Sequence, residues 1–471
     1  NCYIVNQANT TYKFKATVMG NGKADAEGKI RIETLNPAHA EELWRTTPED
    51  PISDVRLEDD GYIYFKTPET LIPSNVVIAA YSEYQVAQGK EEVLWSWHLW
   101  IDNYDEEAVT YPITYPDYIT PPFQVTFMNR NLGAMSDGEL RTEEDVLKAY
   151  GFGYQWGRKD PFPGPATLTV PIGVAGGATM PMYYGDGSQV PVNQNPGILV
   201  ENIQSIIEAN PYLTENEYNT IDYAVMHPMI ALTSNDGTLV WEPEKDKYPW
   251  QYRWMYTTLQ QLNNNTWTNY LWGNAYGGYT TKGGPGDVNV YGTKTCYDPC
   301  PPGWRVPDRW SWTFVSKIRN NSGNNNDVST SAYNGSDIYV CDLTAGGKTD
   351  GTGDPNRGFQ DWRWGFNVYT GGEGVGPTMF LPAAGCRTYS SMMRYTDWGN
   401  NGSSAHYWTN SPYNAPAVQN LVTRLHMDAG YANQAVDEKI GSLNNKISIY
   451  TQCYCNIIMP VRCIRDVTTM E

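Results

Sequence analysis

The chain has 471 residues and a formal net charge of −19, from 52 acidic and 33 basic side chains. Nucleic acids and anionic membranes are bound through basic patches, so this balance argues against both as partners and favours a soluble extracellular protein. The 35 Tyr, 17 Trp, 43 Gly and 31 Pro residues are typical of a loop-rich, mainly β protein. The aromatic residues suit either recognition surfaces or the packing of irregular loops.

The N-terminal part of the chain predicts a sheet domain. In residues 1–103, strand-like segments are separated by Gly, Pro, Asn and Asp turns, and GYIYFKT alternates polar and apolar positions. This spacing predicts a β-sandwich of about 100 residues. No run of about 18 apolar residues occurs, which predicts no transmembrane segment. The strand-like start NCYIV leads us to expect that an N-terminal portion has been lost, and Cys2, as the second residue, does not support a lipid anchor.

Residues 104–122 contain four prolines and predict a semi-rigid linker to a second domain at 123–471. That domain carries Gly-rich tracts that predict an insertion at about 165–290. We expect α+β structure there, with strands and a few helices.

Three segments of the second domain predict helices. The first has Thr142 as N-cap, Asp145 three residues later and Gly151 as its stop. The second begins after Asp308, in DRWSWTFVSKIRNNSG. The third, GILVENIQSIIEANP, places apolar residues from Leu199 to Ile207 at helical spacing.

Six segments occur in a specific order: MNRNLGA, GYQWGRKDPFPG, YDPCPPGWRVP, FLPAAG, HYWTNSP and MPVRCIR. Together they resemble the major paralogous domain family of Fibrobacter and Bacteroides-type bacteria. The resemblance covers residues 124–466 apart from the insertion, and implies a C-type-lectin-like fold, which formylglycine-generating enzymes share. The segment before it resembles a β-sandwich found ahead of this domain in surface lipoproteins and pilus-tip adhesins of Bacteroidetes.

The chain has an even number of cysteines, which favours an oxidising compartment. The cysteines are Cys2, Cys296, Cys300, Cys341, Cys386, Cys453, Cys455 and Cys463. The family resemblance implies a Cys300–Cys463 disulfide, since these two match its recurrent positions. A second bridge from Cys296 to Cys453 or Cys455, a third between Cys341 and Cys386, and a free Cys2 remain expectations.

A zinc site and an oxidase centre are two alternatives for some of the same cysteines. Zinc could use the Cys296/Cys300 and Cys453/Cys455 pairs, but the second spacing is too tight. A formylglycine-type oxidase would need a reactive cysteine pair such as Cys453 and Cys455, and the surrounding residues do not match that enzyme. His98 and His406 read as structural. We therefore expect a protein that is not an enzyme.

We expect no cofactor, with calcium kept as an alternative. The stretch YWTNSP retains Asn410 of the lectin calcium motif and lacks its acid. TDGTGDPNRG supplies oxygen ligands at Asp350, Asp354 and Asn356, without the order of a complete calcium loop.

A Tyr-, Trp- and Asn-rich stretch at 387–414 begins after the matched segment FLPAAG, includes the matched segment HYWTNSP and ends just beyond it. Tyrosine and tryptophan rings stack on sugar faces, and polar side chains bond to hydroxyls. The predicted ligand-binding residues are Tyr389, Arg394, Tyr395, Asp397, Trp398, Asn400, Tyr413 and Asn414. Ordinary loop packing is the competing interpretation.

These features, with the resemblance, predict a secreted or outer-membrane cell-surface protein that functions in cell adhesion, as an adhesin or pilus-tip (fimbrial) subunit. Its expected partners are a host or bacterial glycan, a surface protein, or other pilus subunits. The alternatives are a purely structural filament subunit and an enzyme of the formylglycine type.

Overall fold

In the computed structural model, the described residues are 1–25, 28, 30–83, 91–112, 124–138, 142–166, 179–192, 198–202, 220–233, 270–273, 293–308, 311–312, 365–369, 378–387, 389–390, 394–395, 404–412, 421–428 and 447–466. Strands dominate these residues and helices are few, as the composition predicts. Within the same ranges, no helix has the length and apolar character needed to cross a bilayer.

Residues 1–101 form two sheets. Their strands are β1 (Cys2–Val5), β2 (Thr11–Lys15), β3 (His39–Arg45), β4 (Ser53–Leu57), β5 (Tyr62–Lys66), β6 (Ser74–Tyr81) and β7 (Val93–Ile101). The first sheet has the order β1-β7-β6-β3 and the second β2-β5-β4. Strand β1 is parallel to β7, and the other neighbours are antiparallel.

The burial patterns of β5 and β7 show how each strand packs in its sheet. In β5, Ile63 and Phe65 are buried while Tyr62 and Tyr64 are half-buried, as expected for a sheet with one solvated face. Strand β7 is almost entirely buried, including the polar Ser96 and His98. A strand buried on both faces must pack against structure on each side.

The rest of the chain adds fifteen strands and two short helices among the described residues. These elements are β8 (Ala108–Pro112), β9 (Gln124–Met128), α1 (Glu143–Ala149), β10 (Gly153–Gln155), β11 (Leu199–Asn202), α2 (Thr220–Met226), β12 (Ile230–Thr233), β13 (Trp304–Arg305), β14 (Gly365–Tyr369), β15 (Thr378–Pro382), β16 (Tyr389–Ser390), β17 (Arg394–Tyr395), β18 (Ser404–Pro412), β19 (Leu421–Asp428), β20 (Ile447–Tyr454), β21 (Ile458–Pro460) and β22 (Ile464–Arg465). The larger sheets are β13-β22-β9-β8 and β18-β19-β20; β10-β21, β11-β12, β14-β15 and β16-β17 form pairs.

The predicted helix after Thr142 is confirmed. The Thr142 hydroxyl oxygen accepts the backbone N–H of Asp145 at 3.2 Å, and Gly151 follows the helix at φ +67°. The start of the second predicted helix is described only in part. There the carboxylate of Asp308 accepts the N–H of Ser311 at 3.0 Å, which is N-cap geometry. Residues 309–310 and 313–323 lie outside the described residues.

The third predicted helix is wrong at its beginning. Residues Leu199–Asn202 form β11, which pairs in parallel with β12, and residues 203–219 lie outside the described residues. The apolar spacing from Leu199 onward fits a helix, but Val200 is buried in a cluster with Ala231 and Ile458. Tertiary pairing therefore overrides the local periodicity.

The linker predicted at 104–122 begins too early. Residues Ala108–Pro112 form β8, which pairs antiparallel with β9 from Ala108 opposite Met128 to Pro112 opposite Gln124. Val109 and Tyr111 are buried on this strand. Alternation in AVTYP outweighs its proline, which stands at the end of an edge strand, where proline is tolerated. Residues 113–123 lie outside the described residues.

The two parts of the chain share one hydrophobic core. A single buried cluster contains Trp95 and Trp97 of β7 together with Phe152 and Trp156 of the C-terminal part. Polar contacts cross the same boundary: the Ser96 hydroxyl donates to Asp160 at 2.7 Å. The buried faces of β7 are explained by this packing.

Candidate functional site

The predicted binding stretch at 387–414 contains a short antiparallel ladder. Strand β16 pairs with β17, with Tyr389 opposite Tyr395 and Ser390 opposite Arg394. The backbone of three predicted contact residues, Tyr389, Arg394 and Tyr395, is therefore placed. The other five, Asp397, Trp398, Asn400, Tyr413 and Asn414, lie outside the described residues.

The stretch starts at a buried anchor. The N–H of Arg387 donates to the oxygen of Ile458 at 2.9 Å, and the N–H of Ile458 donates back at 3.0 Å. The Arg387 side chain is buried, and its guanidinium bonds the hydroxyl of Thr179. The backbone before Tyr389 is thus fixed to the strand β21.

A second anchor lies at β18. The Tyr407 hydroxyl donates to the oxygen of Pro382 at 3.0 Å, which ties β18 to the end of β15. The Trp408 indole donates to the oxygen of Tyr154 at 2.6 Å, and the Trp156 indole donates to the oxygen of Thr409 at 2.8 Å. All these rings are buried, so residues 407–410 belong to the rigid frame, meaning the buried part of the fold that supports the predicted binding stretch.

Asn410 also belongs to the interior. Its backbone N–H donates to the oxygen of Pro307 at 2.8 Å, and its side-chain amide donates to the oxygen of Trp272 at 3.4 Å. The residue is fully buried. The position that resembles a lectin calcium ligand therefore fixes the frame instead of facing a loop surface. Asp350, Asp354 and Asn356 lie outside the described residues. Among the described residues, no group of three or more His, Cys, Asp or Glu side chains could hold a metal ion.

The pair Cys300 and Cys463, implied by the family resemblance, forms a disulfide with its sulfurs 2.05 Å apart. The bond joins residues 163 positions apart, one before β13 and the other before β22. These two strands are neighbours in one sheet, so the bond reinforces a contact between distant segments.

A buried ion pair lies beside this disulfide. The Lys294 ammonium donates to Asp298 at 2.7 Å and to the oxygen of Cys300 at 2.7 Å. The Asp298 carboxylate also accepts the N–H groups of Cys300 at 2.8 Å and of Val306 at 2.9 Å. The four-residue spacing of Lys294 and Asp298 is the feature of the sequence that could have indicated this ion pair.

Arg462 is a second buried cation that the sequence analysis missed. Its guanidinium donates to Asn131 Oδ1 at 2.8 Å and to the backbone oxygens of Met128 and Phe380 at 3.2 and 2.8 Å. These acceptors lie at the end of β9, in the turn after it and in β15. The charged side chain thus joins the end of β9 and the turn after it to β15.

The expected second disulfide from Cys296 is wrong. Cys296 is a buried thiol, and burial raises its pKa to about 12. Cys2 is likewise a buried thiol with its pKa raised to about 12 by burial, as expected for an unpaired cysteine. Cys386 is also a thiol whose pKa is raised by burial, and Cys341 lies outside the described residues.

Cys453 and Cys455, the pair weighed for zinc and for oxidase chemistry, are both buried. Because Cys300 is in a disulfide, it cannot supply the thiolate that the zinc alternative requires. Thiol chemistry also needs an accessible thiolate, and neither position provides access.

No family model matches this chain, and comparisons with curated proteins and with solved structures found no significant match. The resemblance of the six motifs to the major paralogous domain family stays a prediction.

Proposed function

We propose that this protein is a non-catalytic binding protein of the cell surface or the secreted fraction, acting as an adhesin or pilus-tip subunit. The observation that carries the proposal is the pair of buried anchors around 387–414. Arg387 is fixed to Ile458 on one side, and Tyr407 and Trp408 are fixed on the other. Binding residues commonly lie on loops held by a rigid scaffold.

The composition of the stretch supports a glycan or protein ligand. Tyrosine and tryptophan give large rigid contact areas, arginine stacks on rings, and asparagine hydrogen-bonds to hydroxyl groups. Tyr389 and Tyr395 occupy one register position of the β16–β17 ladder, and this position is the proposed centre of the contact.

The Cys300–Cys463 disulfide supports the proposed location, because disulfides persist in oxidising compartments such as the periplasm and the cell surface. The proposal includes a C-type-lectin-like arrangement for the C-terminal part and a β-sandwich for the N-terminal part. The two sheets of residues 1–101 and the mainly β content support it.

The test uses the full chain on a glycan array, followed by titration of the best ligand against Y395A and W398A. Each substitution should weaken binding by about 10-fold or more, equivalent to about 1.4 kcal/mol. The control is Y184A, which removes an exposed tyrosine, 38 % accessible, outside the stretch. Unchanged affinity in both variants, or a large loss of thermal stability with unchanged binding per folded molecule, would contradict the proposal.

A further inference from the structure

The sheet β2-β5-β4 has a polar outer face that the proposed function does not use. Its inner face contributes Phe14, Ile63 and Phe65 to the core. Four cations and two tyrosines are among the side chains of the outer face, all exposed or half-buried. We name this set the tyrosine–lysine face, and its members are Lys13, Lys15, Arg56, Tyr62, Tyr64 and Lys66.

The strand register sets cations around the two tyrosines. On the central strand β5, Tyr62 lies opposite Lys15, and Tyr64 lies opposite Lys13 on one side. Arg56 of β4 lies opposite Tyr64 on the other side. Because strand residues advance by about 3.3 Å each, the row from Tyr62 to Lys66 extends over about 13 Å.

Contacts on the face show that the rings already bind cations. The Lys13 ammonium lies 4.5 Å from the ring centre of Tyr62 and 5.1 Å from that of Tyr64. The Arg56 guanidinium carbon lies 5.3 Å from the ring centre of Tyr64. The rings are therefore held as a platform with positive charge beside it.

The acids around the face are committed to two of its cations. Asp60 accepts the Tyr64 hydroxyl at 2.8 Å and lies 3.5 Å from Lys13. Asp54 and Glu58 both pair with Arg56, at 2.7 and 2.6 Å.

Lys15 and Lys66 are available to bind an anionic ligand. Both are exposed, and neither takes part in an ion pair between described residues. They lie at opposite ends of the row, one opposite Tyr62 and the other two positions beyond Tyr64. Each can reach an anionic group without breaking an existing pair.

We propose that the tyrosine–lysine face binds a linear anionic polysaccharide. Sugar rings stack on Tyr62 and Tyr64, while sulfate groups contact Lys15 and Lys66. The net charge of −19 makes long-range attraction of a polyanion unfavourable, so binding requires local cations such as Lys15 and Lys66. The inference is independent of the ligand proposed for residues 387–414.

The experiment titrates heparin into the full chain at about 50 mM and about 300 mM salt, where screening differs strongly. Desulfated heparin, neutral dextran and a DNA duplex are the comparison polymers. The variant K15E/K66E should lose about 10-fold or more in affinity at low salt. The variant K15Q/K66Q repeats the test with a milder change, and Y64A tests the ring.

The matched control is K23E/K148E, which makes the same change of net charge at two exposed lysines off the face. It should change affinity by no more than about twofold. The proposal is overturned if the wild-type chain does not bind heparin, if the control weakens binding as much as K15E/K66E does, or if desulfated heparin, dextran or DNA binds as tightly as heparin. Loss of heparin binding in W398A, with binding intact in K15E/K66E, would place the ligand at 387–414 instead.

Discussion

His98 and Asn75 form a buried hydrogen-bonded pair within the N-terminal sheet, and Asn75 connects this pair to the rest of the chain. The His98 Nε2 lies 2.8 Å from Asn75 Oδ1, and the Asn75 amide donates to the oxygen of Gly133 at 3.0 Å. Since the amide nitrogen of Asn75 faces Gly133, its oxygen accepts from His98, and the proton lies on Nε2. The Nδ1 of His98 is buried with no hydrogen-bond partner among the described residues.

The first prediction is acid sensitivity through His98. Burial lowers the pKa of His98 from 6.5 to about 3, so the folded state keeps it neutral while the unfolded state binds a proton. Its contribution to stability is complete above pH 6.5 and is lost as pH falls from 6.5 towards 3, by up to about 1.4 kcal/mol per pH unit. Urea unfolding across this window should show a shallower pH dependence for H98Q than for the wild type.

The control for this prediction is H39Q, which removes a histidine from the surface. H98Q retains every carboxylate of the wild type, so the difference between these two proteins isolates His98. An identical pH slope in wild type and H98Q would contradict the assignment.

The second prediction compares two glycines with the same backbone angle. Gly133 and Gly303 both have φ +78°, but an added Cβ at Gly133 would overlap the ring of Phe152, whereas at Gly303 it would meet nothing within 4 Å. G303A should cost about 1–2 kcal/mol in unfolding free energy, from the backbone alone. G133A should cost about 1–3 kcal/mol more, from overpacking. Equal losses of unfolding free energy in the two variants, measured by chemical denaturation, would contradict the prediction, because the structure around Phe152 would then accommodate the added methyl group without cost.

The third prediction concerns the buried ion pair of Lys294 and Asp298. D298N leaves a buried ammonium without its counter-charge and should destabilise the fold by about 3–5 kcal/mol. K294M/D298N should lose less than the sum of the single changes, with a coupling of about 1–3 kcal/mol.

The pair Glu144 and Lys148 is the control for this cycle, since it has the same four-residue spacing but lies exposed on α1. Its coupling should not exceed about 0.5 kcal/mol. A coupling for Lys294 and Asp298 as small as that of the exposed pair would contradict the prediction.

The fourth prediction concerns the Cys300–Cys463 disulfide. The bond closes a loop with a sequence separation of 163, for which the chain-entropy model gives about 5 kcal/mol as an upper figure. C300A/C463A should therefore unfold at a lower denaturant concentration than the oxidised wild type. A reductant should lower the wild-type midpoint and leave that of the variant unchanged. A wild-type midpoint that does not respond to complete reduction would contradict the prediction.

The sequence identified the features that depend on local chemistry. Alternation located β5, and the Thr142 cap with Gly151 located α1, because caps and strand faces are set by neighbouring residues. The segment at Leu199 was misassigned because a parallel partner thirty residues away, at Ile230, decides its structure. No local pattern contains that partner.

The candidate site was predictable to a smaller degree. Family-like motifs indicated a frame, and the frame around Trp408 and Asn410 is buried as a frame should be. The hydrogen bonds of Arg462 to residues 128–131 and to Phe380 could not be read from the sequence, since these acceptors become neighbours only on folding. The same holds for His98, whose role depends on Gly133 as a distant acceptor.

The shared core also limits how this chain can be rebuilt by recombination. Ser96 and Trp100 of β7 donate to Asp160 and to the oxygen of Ala134, so the C-terminal part of the chain supplies acceptors for buried donors of the N-terminal part. If one part were replaced by the corresponding part of a distant relative, these buried donors would lose their acceptors, and each loss would reduce the unfolding free energy by about 1–3 kcal/mol. Over evolutionary time, the two halves should therefore be inherited as one unit, with their contact residues changing together.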